Sequence, residues 1–588
     1  MGRGGLVPSD PLRSSPPRSN RRKRLVLLSL IFSLALIVAS AVSAVLFFGV
    51  RAPASGQPGQ ALHRQPTQAI SRTCSRTRYR GLCVNSLLEF PGSLTASDKD
   101  LIHISFNMTL QHLNKALYST SGISNLQMDT RVQSAYEDCL ELLEDSVDAL
   151  SLSLYSVSPV VGSGGGGSTE DVLTWLSGAL TNQDTCAEGF AELSGSVKDQ
   201  MADRLKDLSE LVSNCLAIFS GSDSDDFSGI PIQNKRRLLD ADISGENGEE
   251  KFPKWFGKRE RELLETPITA IQADIIVSKD GNGTVKSISE AIKMAPLHSD
   301  KRTIIYVRAG RYEEENLKVG RKKTNLMFIG DGMGKTIISG SKSIFDNLTT
   351  FHTASFAASG AGFIARDMTF ENQAGPTKHQ AVALRVSADH AVVYRCSISG
   401  YQDTLYVHSN RQFFRECYVY GTVDFIFGNA AVVFQNCSLN ARKPMDQQKN
   451  TITAQNRKDP LQNTGISIHA CRILATPDLE ASSSSFPTYL GRPWKLYSRT
   501  VYMLSYMGDH INPRGWLEWN ATFALDTLYY GEYMNYGPGA AVGQRVQWPG
   551  YRVITSTIEA NKFTVAQFIY GSSWLPSTGV AFLAGLNV

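Results

Sequence analysis

At 588 residues, with 42% hydrophobic and 19% charged residues, the chain is too long for one ordinary domain and too apolar to be disordered throughout. Its net charge of +4 conceals an alternation: residues 1–50 carry +6, residues 51–264 carry −9 and residues 265–588 carry +7, which divides the chain into three blocks. Nine cysteines without a Cys-x-x-Cys pair argue against a zinc site.

The first block is a membrane signal. A basic tail (1–24) ends in Arg21-Arg22-Lys23-Arg24 and precedes 26 uncharged residues, Leu25 to Val50. A bilayer core needs about 20 helical residues, whereas a cleavable signal has an apolar core of roughly 7–15. The segment 25–50 is therefore expected to be an uncleaved signal anchor with the basic tail in the cytoplasm, a long signal peptide being the alternative. Either one delivers the remainder to an oxidising compartment. Five Asn-x-Ser/Thr sequons, at Asn107, Asn282, Asn347, Asn436 and Asn520, fit that route as glycosylation sites.

The second block reads as helical over 51–220. Residues 134–156, 170–193 and 197–220 place apolar side chains at three- and four-residue steps. The glycine run 162–169 is a loop between helices. Short connections between antiparallel helices point to a four-helix bundle. Here the chain resembles a plant inhibitor domain of the pectin methylesterase and invertase inhibitor kind. That resemblance implies two disulfides, Cys74 with Cys83 and Cys139 with Cys186, and leaves Cys215 free. Residues 221–264 are polar and charged and read as a linker. Basic tetrads in such a linker suit a protease cleft. Arg236-Arg237-Leu238-Leu239 is the preferred processing site, with 261–264 as a plausible second; a solvated charge run is the bland alternative.

The third block (265–588) is strand-like. Short apolar runs broken by Gly, Asn and Asp begin near 391, 411 and 431, a period close to twenty. That spacing fits the stacked coils of a right-handed parallel β-helix better than an antiparallel sandwich, because tight hairpin signals are rare. Within it, CSISGYQD (396–403) and CYVYGTVD (417–424) repeat the form Cys-x-x-x-Gly-x-x-Asp. Residues one coil apart stack at roughly 4.8 Å, so Asp403 and Asp424 become neighbours. Cys396, Cys417 and Cys437 stack likewise, and adjacent pairs meet the separation a disulfide needs; spacing alone allows Cys396–Cys417 or Cys417–Cys437.

Two stacked carboxylates do not ionise equally: one pKa rises and the other stays low. The pair supplies an anion and an acid, a nucleophile and a proton donor. A lone Asp after a strand more often caps a turn. Two in register, each following a Gly and one beside Gln402, favour a site.

QAVALRV (380–386), GYQDTLY (400–406), GTVDFIFGNA (421–430) and LGRPW (490–494) together resemble plant pectin methylesterase, across essentially all of 265–588; the inhibitor-like region extends the resemblance to the long type that carries a pro-region. What it implies is as follows. Asp424 is the nucleophile at the C6 methyl ester of galacturonate. Asp403 is the proton donor and later the base. Gln402 and Gln380 stabilise the oxyanion, Arg492 holds Asp424 ionised, Trp494 packs on a sugar, and Thr350 is a further substrate contact. Cys417–Cys437 is the disulfide it favours, and the 236–239 tetrad marks removal of the pro-region. The physical chemistry agrees: Arg forks onto carboxylates, and amides aimed at an oxyanion contribute about 3–4 kcal/mol.

Other chemistries fail. GDGMGKT (330–336) lacks the first glycine of a phosphate loop, where Ile329 stands. There is no Gly-x-Ser-x-Gly elbow, and no His-Glu-x-x-His spacing, so neither a catalytic metal nor another cofactor is expected. No basic-aromatic motif points to nucleic acid, and an acidic polysaccharide is the better electrostatic partner of the basic block; the resemblance implies methylesterified homogalacturonan as that partner, with a processing protease and proteinaceous inhibitors as further partners and the cell wall as destination. Two rivals remain. A β-helix glycosidase on pectin would use the same carboxylate pair, and the acidic bundle could act as an inhibitor module on an inert scaffold. The charge contrast further predicts that the bundle docks on the basic block of its own chain and masks it until the linker is cut.

Overall fold

The computed structural model describes residues 65–158, 167–220, 272–315 and 317–586. The anchor segment, both processing tetrads and most of the glycine run lie outside the described residues. Among the described residues no helix is long and apolar enough to cross a membrane.

The acidic block folds as helices. A hairpin of α1 (Gln68–Cys74) and α2 (Arg80–Glu89) is closed by Cys74–Cys83. The bundle proper consists of α3 (Asp98–Ser121), α4 (Thr130–Ser156), α5 (Thr169–Gly189) and α7 (Leu208–Ser220). Its helix starts are written in the sequence: Ser97 with Asp100, and Ser168 with Asp171, form capping boxes, and Asp129 caps α4. Phe106, Leu113, Leu143, Leu176 and Leu216 fill its core, and Cys139–Cys186 ties α4 to α5. The stretch 197–220 is not one helix. It breaks into α6 (Ser196–Leu205) and α7 where Asp207 takes a left-handed φ of 64°, a conformation that Asp tolerates.

The basic block is a parallel β-helix of three sheets with eleven, eight and seven strands among the described residues. Each coil adds one strand to each sheet. In the seven-stranded sheet Leu384 pairs with Leu405 and Leu405 with Ile426, a coil of twenty-one residues, as the repeat requires. Leu384, Val386, Leu405, Val407 and Ile426 point inward and stack in one continuous core. Corners between sheets carry left-handed residues, among them Arg395, Glu416 and Asn436 at one corner and Asp403 and Asp424 at another. The block is not all strand. Short helices at 557–561, 565–568 and 571–574 cover the outer face of the eleven-stranded sheet, packing Phe563, Phe568 and Leu575 on Val392, Phe413 and Val433.

The expected Cys417–Cys437 disulfide is absent. Cys396, Cys417, Cys437 and Cys471 form a buried ladder of thiols. In-register stacking sets neighbouring thiols against one another, and each also bonds to backbone. The Cys417 N–H donates to Cys437 Sγ at 3.4 Å and the Cys437 N–H to Cys471 Sγ at 3.4 Å; the Cys417 thiol donates to the Val393 carbonyl at 3.3 Å. With Cys215 the described chain holds five free thiols. Unreduced, denatured protein is therefore expected to yield five thiols to a thiol reagent, and folded protein none. Two fewer after denaturation would restore the Cys417–Cys437 bond.

The bundle is docked on the outer face of the seven-stranded sheet. Its acids meet bases of the β-helix: Asp171 and Arg411 at 2.7 Å, Asp184 and Lys458 at 2.7 Å, Glu141 and Lys318 at 2.5 Å, Glu144 and Arg321 at 2.7 Å. Hydroxyls along α5 meet a polar row opposite: Thr174 with Asn463 at 3.0 Å, Thr181 with Asn429 at 2.8 Å, Thr185 with His408 at 2.9 Å. Gly178 permits this closeness, since a Cβ there would lie 2.8 Å from Asn410 Oδ1. One pair has the opposite polarity, Arg78 of the bundle with Asp459 at 3.1 Å.

Candidate active site

Asp403 and Asp424 stand at the corner that leads into successive strands of the seven-stranded sheet, Leu405–Val407 and Ile426–Gly428. Both have left-handed backbones, φ 61° and 51°. Asp is among the few residues that accept this conformation, so the residue type that suits the turn also places a carboxylate at the corner. The Asp403 N–H donates to the Val423 carbonyl at 3.0 Å, which locks one corner over the next. Only 8% of Asp403 and 5% of Asp424 is exposed.

Arg492 comes from two coils further on. Residues Tyr406, Phe427, Ala454 and Arg492 form one outward row across four adjacent strands. From the end of that row Arg492 Nε donates to Asp424 Oδ1 at 2.9 Å and Nη2 to Oδ2 at 2.7 Å. This forked pair holds Asp424 as an anion. Asp403 has no such partner. Burial, and then the adjacent Asp424 charge, push its carboxyl well above the usual range, against the opposing pull of Arg492. The two carboxyls thus sit in unequal surroundings, one forked by a guanidinium and one buried beside its neighbour's charge, an asymmetry that acyl chemistry can use. Arg492 also stacks against Trp519, its guanidinium carbon 4.4 Å from the ring centre.

The amides take their places by the same register. The Ala381 N–H donates to the Gln402 carbonyl at 3.3 Å, which sets the Gln380 segment one coil from Gln402. Gln402 Oε1 is buried without a hydrogen-bond partner. Trp494 packs against Phe427, ring centres 6.0 Å apart. Thr350 opens a short 3-10 turn (Thr350–Thr353) whose cap, Thr349, bonds to Ser134 and Asp138 of the bundle. Asp403, Asp424, Gln402 and Arg492 are thus brought to one corner, with Trp494 beside it.

The bundle lies over this ground. Phe190, Cys139 and Cys186 pack in one apolar cluster with Phe351, Val382, Tyr406, Phe427 and Trp494. Asp138 pairs with His352 Nδ1 at 3.0 Å. Asn282, Asn347, Asn436 and Asn520 are exposed and Asn107 is half-buried on α3. Among the described residues no cluster of three or more His, Cys, Asp or Glu could hold a metal.

Two contacts of the site escaped the sequence. Thr451 donates its hydroxyl proton to Asp424 Oδ1 at 2.6 Å and accepts from the Asp424 N–H at 2.9 Å. It occupies the register position of Asp424 one coil on. That coil, however, is twenty-seven residues long, Ile426 pairing with Thr453, so no fixed repeat reveals it. Trp519 sits in an irregular stretch and offered no periodic signal either.

A family model described as Pectinesterase matches residues 274–572, and one described as Plant invertase/pectin methylesterase inhibitor matches residues 68–218. The chain is 66% identical to probable pectinesterase/pectinesterase inhibitor 61 of Arabidopsis thaliana, over 98% of this chain and 97% of that one. It is 68% identical to probable pectinesterase/pectinesterase inhibitor 34 of the same plant, over 95% and 92%. Among solved structures, pectin methylesterase from carrot is 57% identical with a TM-score of 0.53, covering 54% of this chain and 99% of that chain. The chain therefore belongs to the pectinesterase family, an esterase β-helix preceded on the same chain by an inhibitor-like helical domain.

Proposed function

We propose that this pectinesterase removes methyl esters from homogalacturonan through a covalent aspartyl intermediate, and that its own bundle holds the site closed until the linker is cut. The observation that carries the reading is the unequal aspartate pair, Asp424 forked by Arg492 beside Asp403, whose carboxyl burial and the Asp424 charge push well up. An Asp424 carboxylate oxygen adds to the C6 ester carbonyl. The amides of Gln380 and Gln402 receive the oxyanion. As the tetrahedral adduct collapses, the C6–OCH3 bond breaks, Asp403 gives its proton to the departing oxygen, and methanol leaves. Asp403, now an anion, takes a proton from water; hydroxide adds at C6, the C6–Asp424 bond breaks, and the galacturonate carboxyl is released. Trp494 offers an apolar face to a pyranose ring and Thr350 a hydroxyl beside it.

Masking follows from where the bundle sits. Trp494, Phe427 and Tyr406 pack on Phe190 of the bundle, and the cap of the Thr350 turn is bonded to Asp138. Residues 51–220 would thus act as a pro-region, 221–264 as the linker cut at 236–239, and 265–588 as the released esterase in the cell wall.

Cutting the full chain within 221–264 and separating the bundle is expected to raise methanol release from highly methylated pectin at least tenfold, the effect of losing an interface of this kind. An uncut chain as active as the separated esterase would remove the masking role. New reducing ends without methanol would move the chemistry to a glycosidase.

A further inference from the structure

We infer that Thr451 is a positioning residue for Asp424, fixing which carboxylate oxygen stays free to attack. The inference rests on the reading of Asp424 as the nucleophile.

Thr451 is fully buried. In register it continues the column Asp403, Asp424, so the third position of the column is a hydroxyl rather than a third carboxylate. Its oxygen accepts from the Asp424 N–H at 2.9 Å. A hydroxyl has one proton, and that proton is committed to Asp424 Oδ1 at 2.6 Å. The two bonds close a small ring through the backbone and side chain of the same residue. They hold Asp424 in its left-handed turn and hold its carboxylate plane together.

The ring also makes the two oxygens unequal. Oδ1 receives both the Thr451 hydroxyl and Arg492 Nε, while Oδ2 receives Arg492 Nη2 alone. Each donor withdraws electron density from the oxygen that accepts it. Oδ2 therefore keeps the more available lone pair and is the attacking atom. Thr453, two residues along the same strand, shows the contrast. Its hydroxyl donates to the Leu490 carbonyl at 2.9 Å, a bond within the strand framework that touches no carboxylate.

A turn-capping role alone predicts a stability defect. A positioning role predicts a kinetic one, and the two separate in the full-length chain after linker cleavage. Thr451→Val keeps the shape and removes the proton. Its kcat on methylated pectin is expected to fall about 10- to 100-fold, the range for one hydrogen bond to a charged group, with KM little changed. The acidic limb of the pH–rate profile should move to higher pH, because an anion that loses a donor gains a proton more readily. Thr451→Ser should restore both kcat and the limb. If Thr451→Val does not fold, Thr451→Cys, a weak donor, should be slower than both Thr451→Ser and wild type. A Thr451→Val enzyme that loses only thermal stability, with kcat within twofold and an unmoved limb, would overturn the inference. So would a Thr451→Ser enzyme as slow as the valine variant. Asp424→Asn is measured alongside. If it stays active, the nucleophile reading itself has failed and any Thr451→Val defect has another origin.

Discussion

Asp424→Asn is expected to abolish methanol release, by at least about a thousandfold in kcat, since removal of a covalent nucleophile leaves only the contribution of binding and the oxyanion amides. The amide keeps the size of the side chain but cannot attack a carbonyl, and it leaves Arg492 without its anion. Asp403→Asn keeps the nucleophile and removes the proton donor, so a smaller loss of about 10²-fold, the low end for general acid–base catalysis, is expected. The order of the two losses is the informative result. Methanol release by the Asp424→Asn protein within tenfold of wild type would displace the nucleophile. Equal losses in both variants would leave the division into anion and acid unsupported. Both measurements belong on protein whose linker has been cut, so that masking does not conceal the chemistry.

Docking of the bundle is expected to depend steeply on pH. Glu188 on α5 faces Asp184, Lys495 and Lys458; burial first, and then the Asp184 charge, push its carboxyl up to about 7. Asp145 on α4 faces Glu141, Arg321, Lys318 and Arg385; burial first, and then Glu141, push it up to about 7 as well. Both pKa values are raised in the docked state above their ordinary carboxylate values. Docking therefore takes up protons, is fully supported below about pH 4, and loses that support as pH rises toward 7. In nicked protein the bundle should dissociate at least tenfold more readily at pH 7.5 than at pH 5. Sedimentation of the nicked complex across that range checks this without reference to activity. Glu188→Gln with Asp145→Asn should flatten the dependence. A complex that instead tightens with rising pH would contradict the assignment of these two carboxyls as its proton-linked groups.

Much of this was legible in the chain because the β-helix writes its geometry as a period. Twenty-one residues separate Asp403 from Asp424, and the register pairs Leu405 with Ile426 at that interval. The aspartates, Gln402, Arg492 and Trp494 lie in recognisable strings, and the helix caps of the bundle are local. What the sequence hid was non-local or broke the period. Thr451 follows a longer coil. The helices at 557–574 cover a sheet whose outer apolar residues, such as Phe413 and Val433, looked like part of the strand pattern. The Asp207 break is one residue's backbone angle within an otherwise helical run. The cysteine ladder stacks one coil apart as a disulfide would require, yet its members stay thiols that bond to backbone and to one another. Acid and base alternation announced the docking, but the hydroxyl row of α5 that meets Asn429 and Asn463 carried no charge by which to be noticed.

The site is assembled across coils rather than along the chain. Asp424 waits for Thr451 and Arg492, which close around it only when the strands bearing them have been laid down. A ribosome delivers residues in order, and domains fold from the amino end as they emerge. The bundle, complete by Ser220, is thus made before Asp424 and well before Arg492, which forks onto it. At no stage of synthesis does an assembled aspartate pair exist without its cover already present on the same chain.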